Sequence, residues 1–198
     1  MTGLPSTADN TLVASLLHGG TIEEFRLNSP PETATTTTAT VLFADAEVAK
    51  KYYDTYPYGL EFKYGMRKHV AFVEMGKEVD VLSSLLRGHI EAGASRVVRA
   101  TGADEDWGMR ALSKVAEGKT RKVEGIADYW RDEVSPVSST IPQRLTSCQV
   151  RTIVFRFTNI PDAVQFRGQL MRDYDWEMCN IQFVDDPCAK ATGVHIEP

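Results

Sequence analysis

Apolar residues along the first half of the chain follow two spacings, one typical of helices and one typical of strands. In "NTLVASLLHGG" they recur as on a helix face, and two glycines end the run. "TIEEFRL" then alternates, and the β-branched stretch "TTTTATVLF" favours extended structure. "DAEVAKKYYDTY" returns to helical spacing, and "KHVAFVEMG" follows as a strand after a turn region. The pattern predicts helix, strand, strand, helix and strand.

The second half of the chain repeats this order and begins with one additional strand. "SRVVRATG" predicts a strand, and "DWGMRALSKVAEG" predicts a helix in which Asp104 or Asp106 serves as the N-cap. "RKVEGIADYW" and "CQVRTIVFRF" predict two strands, and "IPDAVQFRGQLMRD" and "WEMCNIQFV" predict a final helix and strand. The predicted order is therefore β-α-β-β-α-β.

The two halves also match at the junction between the third strand and the second helix. A strand aromatic, a small residue and a helix aromatic recur at one constant offset: Phe43, Ala49 and Tyr52 in the first half, and Phe157, Ala163 and Phe166 in the second. This repetition indicates an internal duplication.

The segments outside the two repeats suggest the domain boundaries. Apolar residues at helical spacing in residues 77–92 predict a helix that links two domains, one at residues 1–76 and one at residues 93–187. Residues 131–147 are rich in Ser, Thr and Pro, and we expect a long, mobile loop there. Residues 188–198 are expected to form a C-terminal tail.

Composition limits the class of protein. The chain has 198 residues, of which 42% are hydrophobic, so it can build two domain cores. Its net charge of -5 argues against a strongly basic nucleic-acid-binding protein, although clustered basic residues can still bind RNA. Three cysteines without a C-x-x-C pair predict reduced thiols. With neither a signal peptide nor a long apolar run, we expect an intracellular protein, nuclear or cytoplasmic, with no membrane partner.

Motifs that would indicate catalysis are missing from the sequence. The four histidines are scattered, and the chain has no G-x-S-x-G, phosphate-binding loop or H-E-x-x-H. We therefore expect a noncatalytic protein that needs no cofactor and no metal.

The doubled unit resembles the tandem RNA recognition motif, an α/β fold of the ferredoxin-like type with two helices on one face of an antiparallel sheet. The segment "ATVLFADAEVAKKY" is similar to that family's third strand and second helix. The opening "TGLPSTADNTLVASLL" is similar to the end of its first strand and its first helix, so we expect most of that first strand to be missing from domain 1. The chain is also similar to fungal proteins of this class.

This resemblance implies that single-stranded RNA binds on the sheet, where aromatics of the first and third strands stack on bases. Here the corresponding outward positions are nonaromatic. In the first domain they are Thr38, Thr40 and Leu42 on the third strand. In the second domain they are Thr152, Val154 and Arg156. The rings that usually bind RNA are therefore absent from these positions.

Other side chains can take part in RNA binding. Arg99 lies between two core-facing residues, so its guanidinium shares the sheet face with Arg156, and arginine can both stack on bases and pair with phosphate. Asn180 and Gln182 alternate with apolar residues on the last strand and can reach base edges. The remaining candidates are basic: Arg26, Lys119, Arg121 and Lys122. Salt bridges, edge-strand amides and solvated loops are the alternative interpretations of these residues.

Two functional hypotheses follow. The first is weak or atypical binding of single-stranded RNA by two RNA-recognition-like domains. The second is a protein interaction module in which a degenerate form of the same fold binds a peptide or a partner domain. The paired arginines favour the first, and the missing aromatics favour the second.

Overall fold

A computed structural model describes residues 1–28, 34–76, 81–103, 106–133 and 148–195 of the chain. Within these ranges the protein is a mixed α+β structure with antiparallel sheets. The strands are β1 (Leu4–Pro5), β2 (Ile22–Asn28), β3 (Thr36–Phe43), β4 (Leu60–Tyr64), β5 (Arg67–Ala71), β6 (Val97–Thr101), β7 (Val123–Glu133), β8 (Cys148–Phe157) and β9 (Asn180–Val184). The helices are α1 (Asn10–Leu16), α2 (Ala46–Thr55), α3 (Ser84–Glu91), α4 (Met109–Glu117), α5 (Ile160–Leu170) and α6 (Pro187–Lys190).

In the first half, β1 lies in the middle of the strands rather than being absent. On one side it pairs with β3, and on the other Thr2 exchanges backbone hydrogen bonds of 2.9 Å with Phe72, directly after β5. The strand order is therefore β4-β5-β1-β3-β2. The expectation of a missing first strand was wrong, because residues 1–5 fill this central position. The hairpin of β4 and β5 also replaces the turn region that we expected before a single strand.

The core of the first half lies between this sheet and helices α1 and α2. Leu16 and Leu17 at the end of α1, Phe25 of β2 and Tyr52 of α2 are buried together there. The Tyr52 hydroxyl donates to the Leu16 carbonyl at 2.9 Å, so the buried phenol has a partner. The helices therefore cover one face of the sheet.

The second half has the expected element order, with β6, α4, β7, β8, α5 and β9 following one another. Its strands form one antiparallel sheet in the order β7-β8-β6-β9. Leu112 of α4 and Phe166 of α5 pack with Phe155 and with Trp176 on one face of that sheet. The other face is free of these helices.

The repeated aromatic pairs occupy equivalent places in the two cores. The rings of Phe43 and Tyr52 lie 5.5 Å apart between their centroids, and those of Phe157 and Phe166 lie 5.0 Å apart. In each case the first ring ends a strand and the second lies in the following helix. The repeated spacing therefore places the same kind of aromatic contact in both halves.

The linking segment contains a shorter helix than we expected, α3. Leu86 of this helix is buried against Ile160 of α5, whereas Leu85 is 73% exposed. Val79, which we had included in the helix, lies outside the described residues.

Three local expectations need correction. Residues 131–133 belong to the long strand β7 and not to the loop that we expected at 131–147, and residues 134–147 lie outside the described ranges. The N-cap of α4 is Gly108, which has no side chain to cap with, rather than Asp106, and Asp104 is not among the described residues. Cys188, expected in a tail, lies in α6 and is buried in the core of the first half.

The two halves contact each other along the edge of the first sheet. The Phe25 amide of β2 donates to the Thr158 carbonyl at 2.9 Å, just after β8 ends. Asn10, at the start of α1, donates its side-chain amide to the Val123 carbonyl at 3.2 Å. The outer side of β2 is thus partly paired, which limits its pairing with another chain.

Candidate nucleic-acid interface

The second sheet presents one face to the helices and one away from them, and alternation along the strands assigns each residue to a face. On β6, Val98 and Ala100 are buried in the helix-side core, so Arg99 points to the opposite face. On β8, Phe155 is buried beside the helices, so Val154 and Arg156 lie on the opposite face. We call this second surface the open face of the second sheet.

Arg99 and Gln182 form a pair on this open face. The two residues are register partners on β6 and β9. With the Gln182 amide oriented so that its oxygen faces Arg99, this oxygen accepts from the Arg99 Nε at 3.3 Å and also from Nη2. Asn180 is exposed in the next row, beside Thr101. The two amides that we selected as candidates therefore lie on the same face as Arg99.

Arg156 occupies the adjoining row, as register partner of Val97 on one side and of Gly125 on the other. Its positive charge lies close enough to Glu124 to lower the pKa of that carboxyl. Burial acts more strongly in the opposite direction, so the pKa of Glu124 is raised overall. The charge of Arg156 therefore already interacts with an acidic side chain of its own domain, Glu124.

Thr152 does not provide the accessible surface that we predicted, because it is only 2% exposed. It lies between Thr101 of β6 and Tyr129 of β7 in the register of the sheet. Tyr129 is an aromatic residue on the open face that the sequence analysis missed. The guanidinium carbon of Arg131 lies 5.1 Å from the centroid of its ring.

The third strand of the first sheet presents its predicted residues as expected, with Thr38 and Thr40 exposed and Leu42 partly exposed. Thr38 accepts a hydrogen bond of 2.9 Å from the side-chain amide of Asn28 on β2. Arg26, the register partner of Thr40, donates to both carboxylate oxygens of Glu24 at 2.6 and 2.8 Å. The first sheet is therefore polar at this place, and the charge of Arg26 is paired.

The basic loop after α4 divides into one bound arginine and two exposed lysines. The Arg121 guanidinium donates to the Ala116 and Val115 carbonyls at 2.7 Å each, near the C-terminal end of α4. It also lies 5.3 Å from the centroid of the Phe166 ring. Burial lowers the pKa of Arg121, while Asp162 acts in the opposite direction. Lys119 and Lys122 are exposed, so they are the members of the loop set that can reach a phosphate.

Arg96, just before β6, forms a buried cluster that the sequence analysis also missed. Its guanidinium donates to both oxygens of Asp186 at 2.7 and 2.8 Å and to a Glu124 oxygen at 2.9 Å. The same group lies 5.0 Å from the Phe25 ring of the first half. Burial alone would lower the pKa of Arg96, but Asp186, Cys188 and Glu124 together raise it. Arg96 therefore ties the start of β6 to Glu124 and Asp186 and places its guanidinium against Phe25 of the first half.

No protein-family model matches the chain, and no curated protein matches it by sequence. In the described part of the chain, no helix is long and apolar enough to span a bilayer. Clusters of three or more metal-ligating side chains are likewise absent from the residues that the structure describes.

Proposed function

We propose that the chain is a noncatalytic protein with two RNA-recognition-like domains, which binds single-stranded RNA on the open face of the second sheet. The observation that carries this proposal is the grouping of Arg99, Gln182 and Arg156 on one face, with the helices on the other. The β-α-β-β-α-β order of this half and its antiparallel sheet with helices on one face are consistent with the resemblance to that family.

The chemistry of this face suits a flexible strand of RNA. A guanidinium plane can stack on a base or donate two hydrogen bonds to a phosphate, and an amide can both donate to and accept from a base edge. Arg156 lies on the strand next to Arg99 and two residues along from its register partner, Val154. Standard sheet spacings then put the Cα atoms of the two arginines about 8 Å apart. That distance is comparable with the step between neighbouring nucleotides of an extended strand.

The same face limits the affinity that we expect. The residues beside the arginines on the two central strands are Val97, Thr101, Thr152 and Val154, none of which carries a ring. Each base stacked on an aromatic contributes about 1–3 kcal/mol, so missing rings reduce the affinity substantially. Tyr129 on the outer strand β7 can compensate for one such ring. We therefore propose weak binding with a clear dependence on salt.

A salt titration tests the proposal. The full chain is titrated into a fluorescently labelled, random single-stranded RNA of 12 nucleotides at several salt concentrations. We expect binding at low salt and a logarithmic salt dependence with a slope of about −0.7 for each phosphate contact. Absence of binding at low salt, or a slope near zero, would contradict the proposal.

The second candidate function is interaction with another protein, and the surface at α3 favours it. Val81 and Leu85 are strongly exposed although Leu86 packs against α5. Exposed apolar side chains of this kind can bind a partner. If the chain binds no RNA, the next experiment replaces Leu85 with a charged residue. It then asks which protein complexes the parent forms and the variant does not.

A further inference from the structure

Phe72 is an exposed aromatic residue on the first sheet, directly after β5. Ala71 is buried and Val73 packs against the core, so alternation directs the Phe72 side chain to the face opposite the helices. Half of its surface, 50%, is exposed. The first sheet therefore has a ring on its open face, although its third strand carries threonines there.

Two glycines flank the Phe72 ring and leave room for it. Gly3 and Gly59 both have a positive φ, at 79° and 93°. A Cβ atom at Gly3 would lie 3.5 Å from the Phe72 Cδ2, and one at Gly59 would lie 3.2 Å from Cδ1. The two edges of the ring thus lie close to the backbone of the two glycines, where no side chain intervenes. A larger residue at Gly59 would crowd the ring, so the glycines keep this part of the sheet surface accessible.

Polar groups lie on the same face as the ring, from its own segment to the strand three places away. Met1 pairs with Ala39 and Leu4 with Thr37, so Thr2 and Gly3 together oppose the single residue Thr38 in a β-bulge. Thr38 carries the hydrogen bond from Asn28, and the Thr2 hydroxyl donates to Glu74 at 3.4 Å. Hydroxyl, amide and carboxylate groups are therefore available next to a flat apolar ring.

Two lysines lie further along β5 and its neighbour β4, on the same face as Phe72. Alternation from Phe72 through Val70 places Lys68 on the open face, and Lys63 of β4 is its register partner. Both lysines are exposed. A chain of nucleotides that places one base on Phe72 can therefore bring a neighbouring phosphate toward Lys68 and Lys63.

We propose that the open face of the first sheet is a second RNA-binding site, in which an unpaired base stacks on Phe72. The polar groups of Thr2 and Glu74 lie nearest to the edge of that base, and those of Thr38 and Asn28 lie two and three strands away on the same face. β5 is hydrogen-bonded on both sides, to β4 and through Phe72 to Thr2, so no strand edge is open beside the ring for an added peptide strand. This inference rests on the proposed function, because it gives the same RNA a second place to bind.

The test compares four variants of the full chain in the RNA titration at one low salt concentration. Phe72→Ala and Phe72→Leu remove the ring, Phe72→Trp keeps an aromatic surface, and Val70→Ala removes apolar surface from the same strand and face. We expect about tenfold weaker binding for the first two variants, the loss of one base–ring stack. Phe72→Trp should bind at least as tightly as the parent, and Val70→Ala should stay within about twofold. Thermal melts check that each variant is folded.

A direct observation on the unaltered chain keeps the proposal testable if a variant fails to fold. In a nitrogen-15 NMR titration with the same RNA, the amide signals of Gly3 and Gly59 should shift. Silent glycine signals, or equal binding by Phe72→Leu and the parent, would overturn the inference. If Phe72→Ala is silent while Arg99→Ala with Arg156→Ala is costly, the first-sheet site is wrong and the proposed function stands. If the parent binds no RNA, both are wrong.

Discussion

The two sheets share a buried arrangement and differ on their open faces. Both cores contain the strand-to-helix aromatic pair, Phe43 with Tyr52 and Phe157 with Phe166. The open face of the first sheet carries the ring of Phe72, hydroxyls and two lysines, whereas that of the second carries two arginines and Gln182 on its inner strands, with its ring, Tyr129, on the outer strand β7. Packing constrains the buried side chains and leaves the open ones free to diverge. The repeated core thus determines the fold, whereas the function depends on the side chains of the open faces.

The largest effect that we predict concerns the buried ion pairs of Arg96 in the second half. Arg96→Ala leaves the buried carboxylates of Asp186 and Glu124 without their cation, so it should lower the free energy of unfolding by about 3–5 kcal/mol. Urea denaturation monitored by tryptophan fluorescence measures the change.

The matched control is Arg26→Ala in the first half. Arg26 also pairs with a carboxylate, but its side chain is 58% exposed, so the change should cost about 1 kcal/mol or less. Equal losses for the two variants would mean that the buried ion pairs of Arg96 stabilise the fold no more than the exposed pair of Arg26.

A second, smaller effect distinguishes the two sheets by their glycines. Gly3→Ala places a Cβ 2.9 Å from the Val70 carbonyl oxygen at a positive φ, so we expect a loss of about 1–3 kcal/mol in unfolding free energy. Gly125→Ala on the second sheet meets no atom within 4 Å, and it should change stability by about 0.5 kcal/mol or less. Parallel denaturation of the two variants measures both changes, and a neutral Gly3→Ala would contradict the bulge at Thr2 and Gly3, just before β1.

The smallest effect is a pH dependence in the first half. Burial and the nearby His195 lower the pKa of His18, which also contacts Tyr52 and Tyr56. The unfolded chain therefore binds a proton on His18 more readily than the folded chain does. Its contribution to stability is present above pH 6.5, the ordinary value, and is lost as the pH falls below it.

Thermal melts at pH 7.5 and 5.5 measure this contribution. His18→Gln removes the titrating group, so this variant should lose less stability between the two pH values than the parent. An equal or larger loss in the variant would show that other groups dominate the acid sensitivity.

The sequence predicts the buried pattern well because burial leaves a periodic signal. Alternation placed two apolar residues of β6, Val98 and Ala100, in the core and Arg99 opposite them, and both apolar residues are buried. The first strand was missed because "TGLP" is short and interrupted by a glycine bulge, so it carries too few alternating positions. Only pairing with β3 and Phe72 identifies it as a strand.

The surface residues depend on register, which the sequence does not contain. Tyr129 becomes part of the open face only because β7 pairs with β8 so that Tyr129 opposes Thr152. The same pairing explains why Thr152 is buried. In the sequence, Phe72 is one of several apolar residues in "HVAFV". Its place on the open face follows only from the structure, in which Ala71 and Val73 face the core. Arg96 and Asp186 lie far apart in sequence, and nothing local marks them as partners.

The most direct test of RNA binding by the second sheet compares two double variants at one fixed salt concentration. Arg99→Ala with Arg156→Ala changes the open face, and Lys119→Ala with Lys122→Ala changes the exposed loop after α4 and removes the same number of charges. Thermal melts control for folding. The arginine variant should bind random single-stranded RNA at least about tenfold more weakly, about 1.4 kcal/mol, and the lysine variant should lose much less. The reverse order, with the arginine variant at the parent affinity, would contradict RNA binding on this face.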